Sequence, residues 1–421
     1  MKKSFIIIAA AATLFAACAG NDSYKEIDKQ ENNAISFNTF TSKQTRAAEN
    51  STASYNWAFI NNHTTFQVWG YKDIAPESAV FEATKVTASG DEATTTYAYD
   101  TLRFWDKTAD KYHFYAAAPA MPEGENPAWK WIFVSTDITA ANKLDKGYFK
   151  TTSELTGVNL KNQAEVGPGA TLSDYFKGQA DIDKLIAAPC EFVKSRYAKS
   201  NPDVVQLDFN HILSKLNITV RKGANIDNDL YVVKLTRFEV KDMQAKGDFS
   251  EKDPAVATEP GTNTRWSTAS YTNSKVDYVA LTNVNSLKNA QNNNKPELSV
   301  TNSDQYIVES LVIPQDIDYK EVALDGKEDG TIEAVTTNSK PYFVITYTIN
   351  DEVFTAYYNL AAAFGATEDA NKNKISFNEG WQNTLHIVIN PDKIEFTADV
   401  AEWATNKEET VYVTEEETQN P

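Results

Sequence analysis

Short runs in which apolar or aromatic residues alternate with polar ones recur along the whole chain, separated by clusters of Asn, Asp, Gly, Ser and Thr. A period of two places alternate side chains on opposite faces of a pleated strand, and no sustained helical period competes with it, so the chain is restricted to sheet architectures. Phe66-Gln67-Val68-Trp69-Gly70-Tyr71, Tyr112-His113-Phe114-Tyr115-Ala116, Val205-Gln206-Leu207-Asp208-Phe209, Leu216-Asn217-Ile218-Thr219-Val220, Phe343-Val344-Ile345-Thr346-Tyr347 and His386-Ile387-Val388-Ile389 carry the pattern. Val, Ile, Thr, Tyr and Phe dominate these runs, and such residues suit a half-buried pleated surface. One stretch departs from it: Tyr357 to Phe364, with Leu360 to Ala363 inside and Gly365 after it, predicts a short helix over a sheet end.

With 421 residues, 42% of them hydrophobic and 12% aromatic, the chain can bury two cores of ordinary size. The polar stretch Arg196 to Asp203 has the composition of a turn or linker, which sets an expected boundary between an N-terminal domain over 34–203 and a C-terminal domain over 204–405. Asn283 to Pro296, rich in Asn and Lys, is expected to be an exposed loop. Residues 18–33 suit a flexible tether, and 406–421 an acidic tail holding one β-prone piece.

The first residues bear on compartment. Lys2 and Lys3, an apolar run from Phe5 to Phe15, and Ala16-Ala17-Cys18 form a charged start, a hydrophobic segment and a small-residue exit ending in cysteine. The run is shorter than the roughly 20 residues that span a bilayer, and the exit suits a lipoprotein signal over 1–17, with Cys18 as the lipidated residue. The other cysteine, Cys190, would then have no disulfide partner within the chain. A formal net charge of -18 with no clustered basic stripe argues against a nucleic-acid partner.

Signatures of chemistry are sparse. His63, His113, His211 and His386 have no cysteine or carboxylate at ligand spacing, so no metal is expected. No Gly-rich phosphate loop, Gly-x-Ser-x-Gly elbow or His-Glu-x-x-His is present, and neither a cofactor nor an enzymatic role is expected. Trp129-Lys130-Trp131 could stack on a sugar, which makes Trp129 and Trp131 candidate contacts of a surface glycan-binding protein. Residues at i and i+2 of a strand also share one face, and a core or interface anchor fits the pair better.

Both ends of the mature chain hold β-prone pieces. Ile35, Phe37 and Phe40 lie in Ala34-Ile35-Ser36-Phe37-Asn38-Thr39-Phe40, followed by a polar stretch in which a protease could reach Arg46 and leave Ala47 as a new N-terminus. On these residues alone the piece reads as a permanent edge strand. Near the other end, Thr410-Val411-Tyr412-Val413-Thr414 either folds back as an edge strand or adds to a sheet in another molecule.

Taken in order, these segments resemble the fimbrillin family, in its Mfa-like branch: lipoprotein precursors of type V pilus subunits in Bacteroidota. The resemblance rests on the lipoprotein start, Ile35-Ser36-Phe37 with Thr45-Arg46-Ala47, the runs at Phe66 and at Tyr112 to Pro119, Phe209-Asn210-His211-Ile212-Leu213-Ser214-Lys215-Leu216, Leu311-Val312-Ile313-Pro314-Gln315, and Phe377-Asn378-Glu379-Gly380-Trp381 leading to Val400 and Trp403. It implies an all-β chain of two transthyretin-like β-sandwich domains in tandem, and outer-membrane delivery through lipid on Cys18. It also implies removal of the strand containing Ile35, Phe37 and Phe40 by a cut at Arg46. A donor strand would then fill the groove, with Val411 and Val413 as candidates. The implied partners are other pilus subunits, with a host or bacterial surface glycan or protein as the target of adhesion.

Overall fold

A computed structural model of the chain describes residues 33–41, 65–73, 79–90, 96–124, 127, 129–135, 147–155, 183–223, 226, 230–251, 265–281, 298–319, 324–326, 332–335, 341–370, 372–391, 393–402 and 410–413. The expected signal and tether, the Asn-rich stretch at 283–296, and most of the acidic tail lie outside them.

Among the described residues the first half forms β1 (Phe37–Thr41), β2 (Thr65–Lys72), β3 (Ala79–Ser89), β4 (Thr96–Ala98), β5 (Lys111–Ala118), β6 (Ile132–Ser135), β7 (Gly147–Glu154), β8 (Leu185–Ala187), β9 (Cys190–Val193), helix α1 (Lys194–Tyr197) and β10 (Val205–His211). The second half continues with β11 (Ser214–Lys222), β12 (Val233–Gln244), β13 (Lys246–Ser250), β14 (Trp266–Ser267), β15 (Lys275–Leu281), β16 (Leu298–Ser299), β17 (Gln305–Val312) and β18 (Gln315–Asp318). Then come β19 (Leu324–Gly326), β20 (Ile332–Val335), β21 (Tyr342–Ile349), β22 (Glu352–Asn359), α2 (Leu360–Ala363), β23 (Lys374–Phe377), β24 (Trp381–Ile389), β25 (Ile394–Glu402) and β26 (Thr410–Val413). The chain is all-β, as the alternation predicts, with two sandwiches in tandem, as the resemblance implies.

The first sandwich is built on a sheet ordered β1-β10-β8-β5-β2-β3-β4, with β9 also paired to β5. Its central strands are buried on both faces, which explains their nearly unbroken apolar runs. In β5, Tyr112, Phe114, Ala116 and Ala118 enter one core, while Tyr115 and Ala117 enter another. The second sandwich packs the sheet β17-β11-β24-β25-β26 on β15-β12-β21-β22. Leu216, Ile218 and Val220 of β11 and Leu385 and Ile387 of β24 meet Phe238 and Val240 of β12 and Phe343 and Ile345 of β21 in its core.

A third sheet, β14-β13-β7-β6, takes strands from both halves, β7 pairing antiparallel with β13 from Lys246↔Glu154 to Ser250↔Lys150. Around it Trp69, Tyr115, Trp131, Phe149 and Ile186 of the first half pack with Ile212, Phe249, Trp266, Leu311 and Ile313. The Trp266 indole N–H donates to the Ile212 carbonyl at 2.7 Å, and the Tyr278 hydroxyl to that of Leu311 at 2.8 Å. Each polar tip is thereby satisfied while the Trp266 ring fills the junction and the Tyr278 ring the core of the second sandwich.

Two expectations of organisation are corrected. The sheets do not change at 203/204: β10 belongs to the first sheet, between β1 and β8. Arg196 to Asp203 runs from the last turn of α1 into a loop inside the first sandwich, closed where Arg196 and Lys199 reach the Asp203 carboxylate at 3.4 and 2.5 Å. Buried Tyr197 stacks on Trp105 there at 4.7 Å between ring centroids. The helix expected over 357–364 is confined to Leu360–Ala363, because Tyr357 and Tyr358 stay in the ladder opposite Val344 and Phe343. The Asn359 side chain accepts from the Ala362 N–H at 3.0 Å to start the turn, and Gly365 ends it at φ 93°.

Candidate functional site

β1 lies at the edge of its sheet and pairs parallel with β10, in the register Phe37↔Val205 through Thr41↔Phe209, with Phe40 opposite Asp208. A parallel neighbour cannot be reached by a tight turn. The strand is therefore held by its contacts and not by a hairpin, and these begin before its first residue. The Ile35 N–H donates to the Arg103 carbonyl at 2.8 Å, the Tyr99 hydroxyl to the Ile35 carbonyl at 2.6 Å, and the Val205 N–H to the Ser36 carbonyl at 2.9 Å. Ala34 bridges Phe104, so the extended lead-in is bonded on both sides.

The side chains go deeper. Ile35 and Phe37 are buried, and Thr39 is fully enclosed, its hydroxyl 2.6 Å from that of Tyr97. The Phe37 ring presents edges to Phe81 at 5.3 Å, Phe114 at 5.8 Å, Tyr99 at 6.0 Å and Phe66 at 6.5 Å. These edge-to-face arrangements suit the quadrupoles of the rings. Burial also pushes the Tyr97 and Tyr99 hydroxyls above the ordinary phenol value, which keeps both neutral against the strand. Burying Ile35 and Phe37 is worth on the order of 3 to 6 kcal/mol, at roughly 1.5 to 3 kcal/mol per large apolar side chain. Without β1, one edge of β10 would have unpaired backbone groups above an aromatic floor of Phe66, Phe81 and Phe114.

Cys18, Arg46 and Ala47 lie outside the described residues. At the other end of the chain, β26 pairs antiparallel with β25, Val411 opposite Ala398 and Val413 opposite Phe396. Of the two outcomes left open by the sequence, this structure has the piece folded back on its own sheet. Trp131 is 3% exposed and sits in the junction core, its indole N–H donating to the Pro119 carbonyl at 3.0 Å. Trp129 is half-buried, edge-on to Trp131 at 6.1 Å and capped by the Lys184 ammonium 4.9 Å from its ring. The pair thus has the packing of an interface anchor, with no two exposed ring faces side by side.

His63 lies outside the described residues. His113 is buried in β5, His211 has Asp183 at 2.9 Å, and His386 lies between the Thr219 hydroxyl at 2.7 Å and Asp399 at 3.0 Å. Among the described residues no three metal-binding side chains converge. At the junction, a cavity of about 320 Å³ is bordered by His211, Glu251, Arg265 and Glu379, with Arg265 donating to Glu379 at 2.9 Å.

No family model matches the chain. A curated relative does: it is 25% identical over 236 residues to the fimbrium subunit Fim1C of Phocaeicola vulgatus, which is 54% of this chain and 53% of that protein. The chain is similar to this fimbrium subunit. It spans about half the length of the curated fimbrium subunit that it matches. Among solved structures, a fimbrial protein from Bacteroides vulgatus is similar over 88% of this chain and 99% of its own, at 15% identity and a TM-score of 0.47. The tip fimbrial protein Mfa3 from Porphyromonas gingivalis is similar over 81% and 95%, at 10% identity and a TM-score of 0.34.

The seating of β1 is only partly legible in the sequence. Alternation marks Ile35 and Phe37 as inward-facing but does not say which strand they lie beside. Tyr97, Tyr99 and Arg103, which hold the lead-in, escape a reading of the sequence because no pattern links them to a strand some 60 residues earlier.

Proposed function

We propose that this chain is a subunit of a cell-surface pilus, delivered to the outer membrane as a lipoprotein on Cys18 and released for assembly by a cut at Arg46. The observation that carries the proposal is β1 itself: an edge strand without a hairpin partner, seated by buried Ile35, Phe37 and Thr39 in a groove that the rest of the sheet already forms. A strand added from another subunit would meet the same backbone edge of β10 and the same aromatic floor, which is recognition by strand addition. Val411 and Val413 are the candidate donor residues, and to act so β26 would have to leave β25.

The test is digestion of the purified chain with an Arg-specific protease, followed by N-terminal sequencing, unboiled denaturing gels and negative-stain microscopy. A new N-terminus at Ala47 with ladders or filaments, both abolished by Arg46→Ala, is the expected result. Cleavage at Arg46 with a product that stays monomeric rules out a polymerising role.

A further inference from the structure

The cavity of about 320 Å³ at the junction has no part in assembly by strand addition. Its volume lies at the small end of ligand pockets, which run from roughly 300 to 1,000 Å³ and favour the seams between domains. Both halves build it. Ile186 of β8 and the Ala188-Pro189 link to β9 give an apolar wall, His211 ends β10, Glu251 follows β13, Arg265 precedes β14, and Glu379 precedes β24. The polar groups are fixed from outside the cavity. The Glu251 carboxylate accepts from the Phe149 N–H at 2.9 Å, and the Gly380 N–H donates to the Leu213 carbonyl at 2.8 Å, which anchors the segment carrying Glu379. His211 has its Nδ1 2.9 Å from Asp183.

The charges around this space do not balance. Arg265 presents Nε and Nη2 to Glu379, a two-point pairing that commits that edge of the guanidinium. Burial pushes Arg265 below the ordinary arginine value, and the charge of Glu251 acts against that shift. Two carboxylates thus share one guanidinium, and with His211 neutral the formal sum over the lining residues is -1 (-2 plus 1). The Asp183 carboxylate makes Nδ1 the protonated nitrogen of His211, so Nε2 is an acceptor. We propose that this cavity binds a primary ammonium on a short alkyl stem, the ammonium held by Glu251 and Glu379 and the stem lying against Ile186 and Pro189. An ammonium has three donors and no acceptor, which matches a lining rich in acceptors, and its charge brings the sum to zero. An anion would meet two carboxylates and a guanidinium already engaged. The same chemistry is carried by a free alkylamine and by the lysine side chain of a peptide. Either would touch both halves of the junction and stabilise the folded chain by mass action.

The test is calorimetry and thermal melting of the purified chain with n-pentylamine, 1-pentanol and pentanoate, which share a stem and differ in charge. One-site binding of the amine, a melting temperature that rises with its concentration, and affinities lower by about tenfold or more for the alcohol and the acid are expected. Nα-acetyl-lysine methylamide is the second arm: tighter binding than pentylamine marks a peptide-borne lysine as the source, and equal or weaker binding a free amine. Glu251→Gln keeps an acceptor for the Phe149 N–H and should weaken amine binding by about tenfold or more. Ala188→Phe, which sets a ring at an exposed position on the wall, should do the same by obstruction. No saturable heat with either amine up to about 10 mM, equal affinity for pentylamine and 1-pentanol, or undiminished binding in either variant overturns the site. If Glu251→Gln fails to fold by circular dichroism, Ala188→Phe decides alone.

Discussion

Lys184 shows how a single residue can register the junction. It is 3% exposed, and its ammonium donates to the Thr152 carbonyl and the Ser153 hydroxyl, both at 2.8 Å, while sitting over Trp129. Burial lowers its pKa to about 8, against the pull of those two hydrogen bonds, which favour the charged form. Below pH 8 the amine is charged in both the folded and unfolded chain, and the full cost of burying it is present. Between about 8 and the ordinary lysine value the unfolded chain holds more protons, so stability rises with pH. Urea unfolding at pH 7.5 and 9.5 should show a gain on the order of 1 kcal/mol, a tenfold difference in proton affinity between the two states being worth about 1.36 kcal/mol. Lys184→Met should abolish that gain; a Met variant with the same rise would assign it elsewhere.

At the scale of elements, β2 shows what holds the central sheet together. Gly70 lies between Phe81 of β3 and Phe114 of β5, and a Cβ there would come within 2.9 Å of the first ring and 3.1 Å of the second. The glycine lets two large rings from neighbouring strands close over a third. Gly70→Ala should destabilise the chain by about 1 to 3 kcal/mol through overpacking, read as a shift of the denaturant midpoint. Strands such as β2, β5, β11 and β21 were legible in sequence because alternation and aromatic content are local properties. Pairing was not. Nothing in Gly147 to Glu154 announces that its partner is Lys246 to Ser250, and the polar stretch at Arg196 to Asp203 has the same composition whether it links domains or two strands of one sheet. The candidate site was half legible for the same reason: Ile35 and Phe37 declare an inward face, whereas β10, Tyr97 and Tyr99 enter only through long-range pairing.

For the whole molecule, the shared sheet makes the two halves one mechanical unit. β7 and β13 cross the junction by backbone pairing, and Phe249 and Trp266 fill it with side chains. Unfolding should proceed as a single transition by fluorescence and circular dichroism, and the double variant Phe249→Ala/Trp266→Ala should separate it into two as the halves lose their coupling. Coincident transitions in that variant would show that backbone pairing alone couples them. The parallel pairing of Phe37 with Val205 also imposes a schedule on the chain. In any passage that begins with the N-terminus, β1 emerges first, yet its seat is not built until Val205 to Phe209 have followed. Such distant partners close slowly. Within its own sheet, the earliest strand to arrive is thus the last to dock.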